Sequence, residues 1–328
     1  MQADLQYMPK AAEIHFTFDL MATKVPKKKA SKQATHKTAR GAGDPMRDLH
    51  KLLEKQNFQT MEEMEAFMQK VSKGPIPEFT PDNNKDLAEE LVREAMGMDP
   101  DEEKEAIMEA LDLDPDCILA YVALGQAEVH PAIALAFFER GISIGAAQFL
   151  TDPYLSETKG HFWGFIETRP FMRCMQGAAD SSFYLGRVVE AVATWTKMLE
   201  LNPNDNQGVR YDLMLSLAGM HAHKEFEELE KQFEDDGAGA AYFNRALYRF
   251  TKEGAGPQVQ QALVKAMKAN PHVVPILLQR APDLPMVGSY MLGSKEEAYT
   301  YLNKAHMVWW GVPGAMDWLK KAVGKRGT

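Results

Sequence analysis

Three prolines do most to limit what this chain can fold into. Pro115, Pro203 and Pro271 each follow an Asp or Asn, and each closes a run in which apolar residues recur at helical spacing. A chain punctuated this way is a succession of helices. Pro203 and Pro271 lie about 68 residues apart, twice the ~34-residue length of a helix–turn–helix repeat. Pro115 and Pro203 are separated by roughly 20 residues more than two such periods, which places an insertion at residues 142–170. Alternating β-branched and aromatic stretches are scarce, and no segment reads as a strand. The expected fold class is all-α.

The stretch from Met172 to Asp205 shows the unit most plainly. Gly186 divides two helices, and Asn202-Pro203 stops the second. Ala178, Ala179 and Ala191 are small where helices must approach closely, and Trp195, Met198 and Leu199 fill the seam. The rest of the chain follows the same pattern. Met46, Leu49, Leu52 and Leu53 share a face. Thr60 with Glu63 makes a capping box ahead of a helix that turns Met61, Met64, Phe67, Met68 and Val71 inward. Leu87, Leu91, Ala95 and Met98 line the next helix. Asp99 caps and Pro100 opens another, which runs to Leu113. Ser294 and Glu297 form a second capping box before a helix bearing Ala298, Tyr301, Leu302, Ala305 and Trp309. Gly311-Val312-Pro313 breaks that helix. A final one, with Met316, Leu319 and Val323 inward, is expected to cover the end of the stack.

Composition narrows the function classes. An apolar share of 45% over 328 residues supports a substantial core, and twenty methionines suit adaptable helix packing. Cys117 and Cys174 belong to no C-x-x-C pair and make no disulfide framework, so a reducing, cytoplasmic setting is expected. No uninterrupted apolar run approaches the ~18–20 residues of a membrane span, and no membrane role is expected. The net charge of −9 is unevenly spread. Residues 22–43 hold seven Lys/Arg, from Lys24 to Arg40, and no acid, which leaves the remainder at about −16. Residues 1–43 therefore read as a disordered basic tail, 44–73 as a helical hairpin, 74–84 as a linker and 85–323 as the helical repeat domain. MATKVPKKK, from Met21, reads like a chain's beginning. An acidic body argues against a nucleic-acid grip; the tail offers a tether to nucleic acid or an anionic surface through Lys27, Lys28 and Lys29 as the alternative, but, lacking aromatics that stack on bases, it reads first as a solubilising segment.

Residues 118–273 resemble tetratricopeptide repeats. Tyr121, Leu124 and Gly125 match the first helix of that pattern, and Ala134, Phe138 and Gly141 the second. Ala179, Gly186, Ala191, Trp195 and Pro203 match in the next copy. Phe243, Phe250, Gly254, Ala266 and Pro271 match in the last. The copy between them, roughly 206–239, carries Gly237 in place of the closing proline. GHFWGFIETRP (160–170), LNPNDNQGVRY (201–211), ANPHVVPILL (269–278) and EEAYTYLNKAHMVWWGVPGAMDWL (296–319) are similar to a bacterial tetratricopeptide family. The C-terminal part of that family is similar to the suppressor of tumorigenicity 7 protein family. The likeness covers about residues 85–323 and brings no activity with it. It implies a right-handed array of antiparallel helix pairs holding a peptide or partner helix in a concave groove lined by each repeat's first helix. Groove-facing offsets fall on Arg173, Gln176 and Asp180 in one copy, and on Asn244 and Tyr248 in another. Gln176 and Asp180 stand where chaperone-binding members carry a Lys/Asn clamp for acidic peptide ends. The transmembrane segments of the animal relatives have no counterpart here.

Few residues invite chemistry. His161, Trp163, Glu167 and Arg169 crowd the insertion, where His161 and Glu167 could act as base and acid while Arg169 holds an anion. Packing of the insertion, with Glu167 and Arg169 paired, accounts for them more simply, since no nucleophile accompanies them. His221 and His223 lie roughly 200° apart if both are on one helix, and no third ligand follows, so no metal is expected. Asn202 and Asp205 cap helices beside Gly208, and Asp205 opposes a phosphate there. Arg210 is expected to pair with an acid between repeats. No cofactor is implied. The expectation is a non-catalytic scaffold whose acidic body suits a basic or neutral partner.

Overall fold

The computed structural model describes residues 49, 51–53, 60–74 and 80–324, and the basic tail lies outside them. The described residues are helical and contain no strand. Side-chain oxygens start the first helices by satisfying amides that a helix start leaves bare. Thr60 accepts from the Glu63 amide (3.2 Å) to open α1 (Met61–Val71). Asn83 accepts from the Asp86 amide (2.9 Å) to open α2 (Asn84–Ala95), and Asp99 from the Asp101 amide (3.1 Å) to open α3 (Pro100–Leu113). Then come α4 (Ile118–Ala127) and α5 (Pro131–Phe149), a short α6 (Tyr154–Thr158) and a 3-10 turn at Phe162–Gly164. Three helix pairs follow: α7 (Arg169–Tyr184) with α8 (Val188–Leu201), α9 (Val209–Gly219) with α10 (His223–Gln232), and α11 (Gly239–Glu253) with α12 (Pro257–Ala269). The chain ends in α13 (Val273–Leu277), α14 (Lys295–Gly311) and α15 (Ala315–Gly324).

Neighbours in sequence pack as neighbours in space. α2 lies against α3, α4 against α5, α7 against α8, and α11 against α12. Each pair meets the next: α7 packs on α4 and α5, α9 on α8, and α11 on α9. Close approach is bought with small residues. The Phe138 ring sits in a slot between α4 and α7, where a methyl on Gly125 or Gly177 would lie 2.5 or 2.4 Å from it. Trp195, Met198 and Leu201 are buried in the α7–α8 seam. One large apolar core runs from Ile118 to Ala322, and a smaller one joins Ala88, Val92, Ile107 and Ala110 to Leu119 and Ala123.

Several faces differ from the expected ones. In α2 the buried stripe is Ala88, Val92 and Ala95, whereas Leu87 and Met98 are exposed. The two stripes lie side by side on the helix, and close packing against α3 selects the one with small residues. Met68 in α1 and Val323 in α15 are also exposed; in α15 Met316 and Leu319 are buried as expected, joined by Trp318 and Ala322. The insertion is shorter than 142–170, because α5 continues to Phe149 and α7 begins at Arg169. Its ring cluster of Phe149, Tyr154, Phe162 and Phe171 seats it on the core. Asn84 belongs to α2, and Lys51 reaches Asp86 (3.1 Å) and Glu89 (3.6 Å) on that helix, so residues 51–53 are docked on the body. By length and composition alone, α5 is apolar enough to cross a membrane, though the sequence pattern had shown no such run; it packs here against α4 and α7.

The largest difference concerns the C-terminus. The helix before the last, α14, lies across α9 and α11, and its Lys304 reaches α7. α15 folds back so that Trp318 stacks on Phe250 (4.7 Å) and Trp309 (6.2 Å).

Candidate functional site

α7 and α11 carry the residues that sequence assigned to a groove, and α14 packs across α9 and α11. Lys304 stands at the junction. Its ammonium lies 2.8 Å from Asp212 of α9 and 3.2 Å from Asp180 of α7. The side chains of Lys304, Asp180 and Asp212 are 14%, 30% and 24% exposed, so one cation serves two carboxylates in a largely dry place. Burial pushes the Asp180 carboxyl up to about 6; Lys304 opposes the rise and Asp212 adds to it. Burial works against the Lys304 ammonium, but Asp212 and Asp180 outweigh it, and its pKa is raised.

Farther along α14 the contacts are neutral. The Tyr301 hydroxyl donates to Asn244 Oδ1 (3.0 Å), Asn244 Nδ2 donates to the Tyr211 carbonyl (2.8 Å), and the Trp309 indole donates to the Tyr301 oxygen (2.9 Å). Glu297 closes the series. Its carboxylate accepts from the Gly239 amide at the start of α11 (2.8 Å), from Asn270 Nδ2 (2.9 Å) and from the Gly293 amide (2.6 Å). Ser294 does accept from the Glu297 amide (3.2 Å), as a capping box requires. The Glu297 side chain also reaches the first amide of another helix, at Gly239, where a negative charge is favoured.

These contacts redistribute the expected groove residues. Asn244 is fully buried and faces α14. Tyr248 is buried on the other side: its ring stacks on Phe226 (4.2 Å) and its hydroxyl donates to Glu227. Arg210 pairs with Asp205 (2.9 Å) and Asp236 (2.7 Å) and lies over the Tyr211 ring. Asp205 also accepts from the Val209 and Arg210 amides and so caps α9. Gln176 accepts from Gln207 (2.8 Å), and Asp180 is held by Lys304. Only Arg173 of this set is exposed without a hydrogen bond or ion pair among the described residues. Burial, then the like charges of Arg93 and Arg169, lower its pKa. Arg169 is one helical turn away, fixed by its Nε donating to the Trp163 carbonyl (3.0 Å) and by its guanidinium over the Trp163 ring.

The insertion's four residues do not gather around a reactive centre. His161 is exposed, Arg169 is committed to Trp163, and Glu167 accepts from the Tyr154 hydroxyl (3.2 Å). A small cavity of about 80 Å³ is lined by Glu167 together with Lys51, Glu89, Arg93 and Cys117, and neither His161, Trp163 nor Arg169 borders it. Burial pushes the Cys117 thiol up to about 11, away from the thiolate. His221 and His223 are closer than a shared helix allows, with rings 5.8 Å apart. His221 sits in the turn before α10 with φ +60°, and only His223 is helical. No group of three or more His, Cys, Asp or Glu among the described residues is arranged to hold a metal ion.

Sequence reasoning missed Lys304, Asp212 and the outward reach of Glu297. The one available signal was a lysine between the apolar positions Leu302 and Ala305, one helical turn after Tyr301. Neither a protein-family model nor a curated protein matches this chain.

Proposed function

We propose that the chain is a non-catalytic interaction protein: a tetratricopeptide-like, right-handed array of antiparallel helix pairs that binds an acidic segment of a partner protein at the first turns of α7. The array reading is supported by the turns within pairs. Gly186, His221 and Gly254 all have positive φ and recur roughly every 34 residues. One observation carries the binding reading. Of the five groove-facing residues, Arg173 alone stays exposed with no hydrogen bond or ion pair among the described residues, beside two further guanidiniums. Net charge alone favours a basic or neutral partner, but a partner meets local charge first, and here it is cationic. α14 occupies the rest of the face.

The test is affinity capture from the host with the wild-type chain, with Arg173→Glu, and with Lys265→Glu as an exposed control on α12. Arg173→Glu is expected to lose the partner that the other two retain. Equal recovery with all three removes this face from consideration.

A further inference from the structure

We infer that α14 is held across the helix array by a proton-sensitive clasp, Asp180–Lys304–Asp212, so that the C-terminal hairpin seats more firmly on acidification and loosens as pH rises. The geometry is the reason. Three helices each contribute one charge to a single junction, and the charges do not balance: α7 and α9 bring a carboxylate each, and α14 brings one ammonium. Such a junction holds a net negative charge in partial contact with water only, which is costly, and a proton removes it. The other groups facing Asp180 are the Trp195 indole of α8 and the Tyr184 phenol of α7 itself. Asp180 Oδ1 is sealed from solvent, and the Lys304 ammonium at 3.2 Å approaches it without completing a well-aligned hydrogen bond.

The proton belongs on Asp180. Asp212 holds the shorter contact to Lys304, and protonating Asp180 leaves that pair intact. With α14 lifted, Asp180 returns to water and to the ordinary carboxylate value of 3.8; with α14 seated, it keeps its proton up to about 6. The seated form therefore binds the proton more tightly. Its gain is complete below 3.8 and is lost as pH rises through about 6. The clasp acts on the chain's own helix and does not depend on the partner proposed above.

Hydrogen exchange of the α14 amides between pH 7.5 and 5, corrected for the intrinsic rate, reads the opening equilibrium directly. In the wild-type chain the opening constant is expected to fall about tenfold on acidification, beyond any change at α3. Asp180→Asn keeps the Lys304–Asp212 pair and should make α14 opening insensitive to pH over this range. A carbon-13 titration of the Asp180 carboxyl in the wild-type chain requires no variant and should show a midpoint well above the usual carboxylate range. The proposal is overturned by α14 opening that ignores pH in the wild type, by an unchanged pH response in Asp180→Asn, or by an ordinary Asp180 midpoint.

Discussion

At the scale of single residues, the junction at Lys304 shows how unequal the members of a buried charge cluster are. Replacing Lys304 with Met keeps most of the apolar stem but leaves two facing carboxylates with no cation. The expected loss is about 3 kcal/mol, at the lower end for a broken buried pair because both acids retain some contact with solvent. Urea unfolding at pH 7 measures it, and adding Asp180→Asn to Lys304→Met should recover part of the loss. If the single substitution is neutral, the cluster is a surface feature and its apparent burial has no energetic weight. Neither Lys304 nor Asp212 stood out in the sequence, and Asp180 did so only as a groove-facing position, not as half of an ion pair. A lysine within an amphipathic helix looks the same whether it faces water or two acids on other helices. The caps, by contrast, were legible: Thr60, Asp99 and Ser294 each act through residues two or three positions away, so local sequence contains the whole interaction.

The same distinction between local and distant causes holds for helices as elements. Boundaries set by Gly186, Pro203 and Pro271 follow from backbone rules and were readable. Which stripe of α2 turns inward was not, because Leu87 and Ala88 begin adjacent stripes and only the distance to α3 decides between them. The α4–α5–α7 junction is the tightest case. Phe138 occupies space that Gly125 and Gly177 leave empty, so a single methyl there has nowhere to go. Gly177→Ala should improve helix propensity yet destabilise the chain by about 1–3 kcal/mol through overpacking. Thermal unfolding distinguishes the two effects by sign. A rise in melting temperature would mean that α5 and α7 can move apart freely.

For the molecule as a whole, two apolar cores of unequal size share one chain. The smaller, around Ala88, Val92 and Ile107, has few large side chains and lies at the N-terminal end of the array. The amides of α2 and α3 should therefore exchange through openings of lower free energy than those of α7, α9 and α11. Uniform protection across both groups would indicate a single cooperative unit instead. In the larger core, stability comes partly from the helix that crosses the others. A plain stack of helix pairs touches only its neighbours and behaves as a spring, in which each joint yields separately. A strut fastened to α7, α9 and α11 at once changes the mechanics, because none of those joints can flex without the fastenings at Asp180, Asp212, Asn244 and Gly239 giving way together. Pulled along its length, this molecule should stay stiff and then fail abruptly.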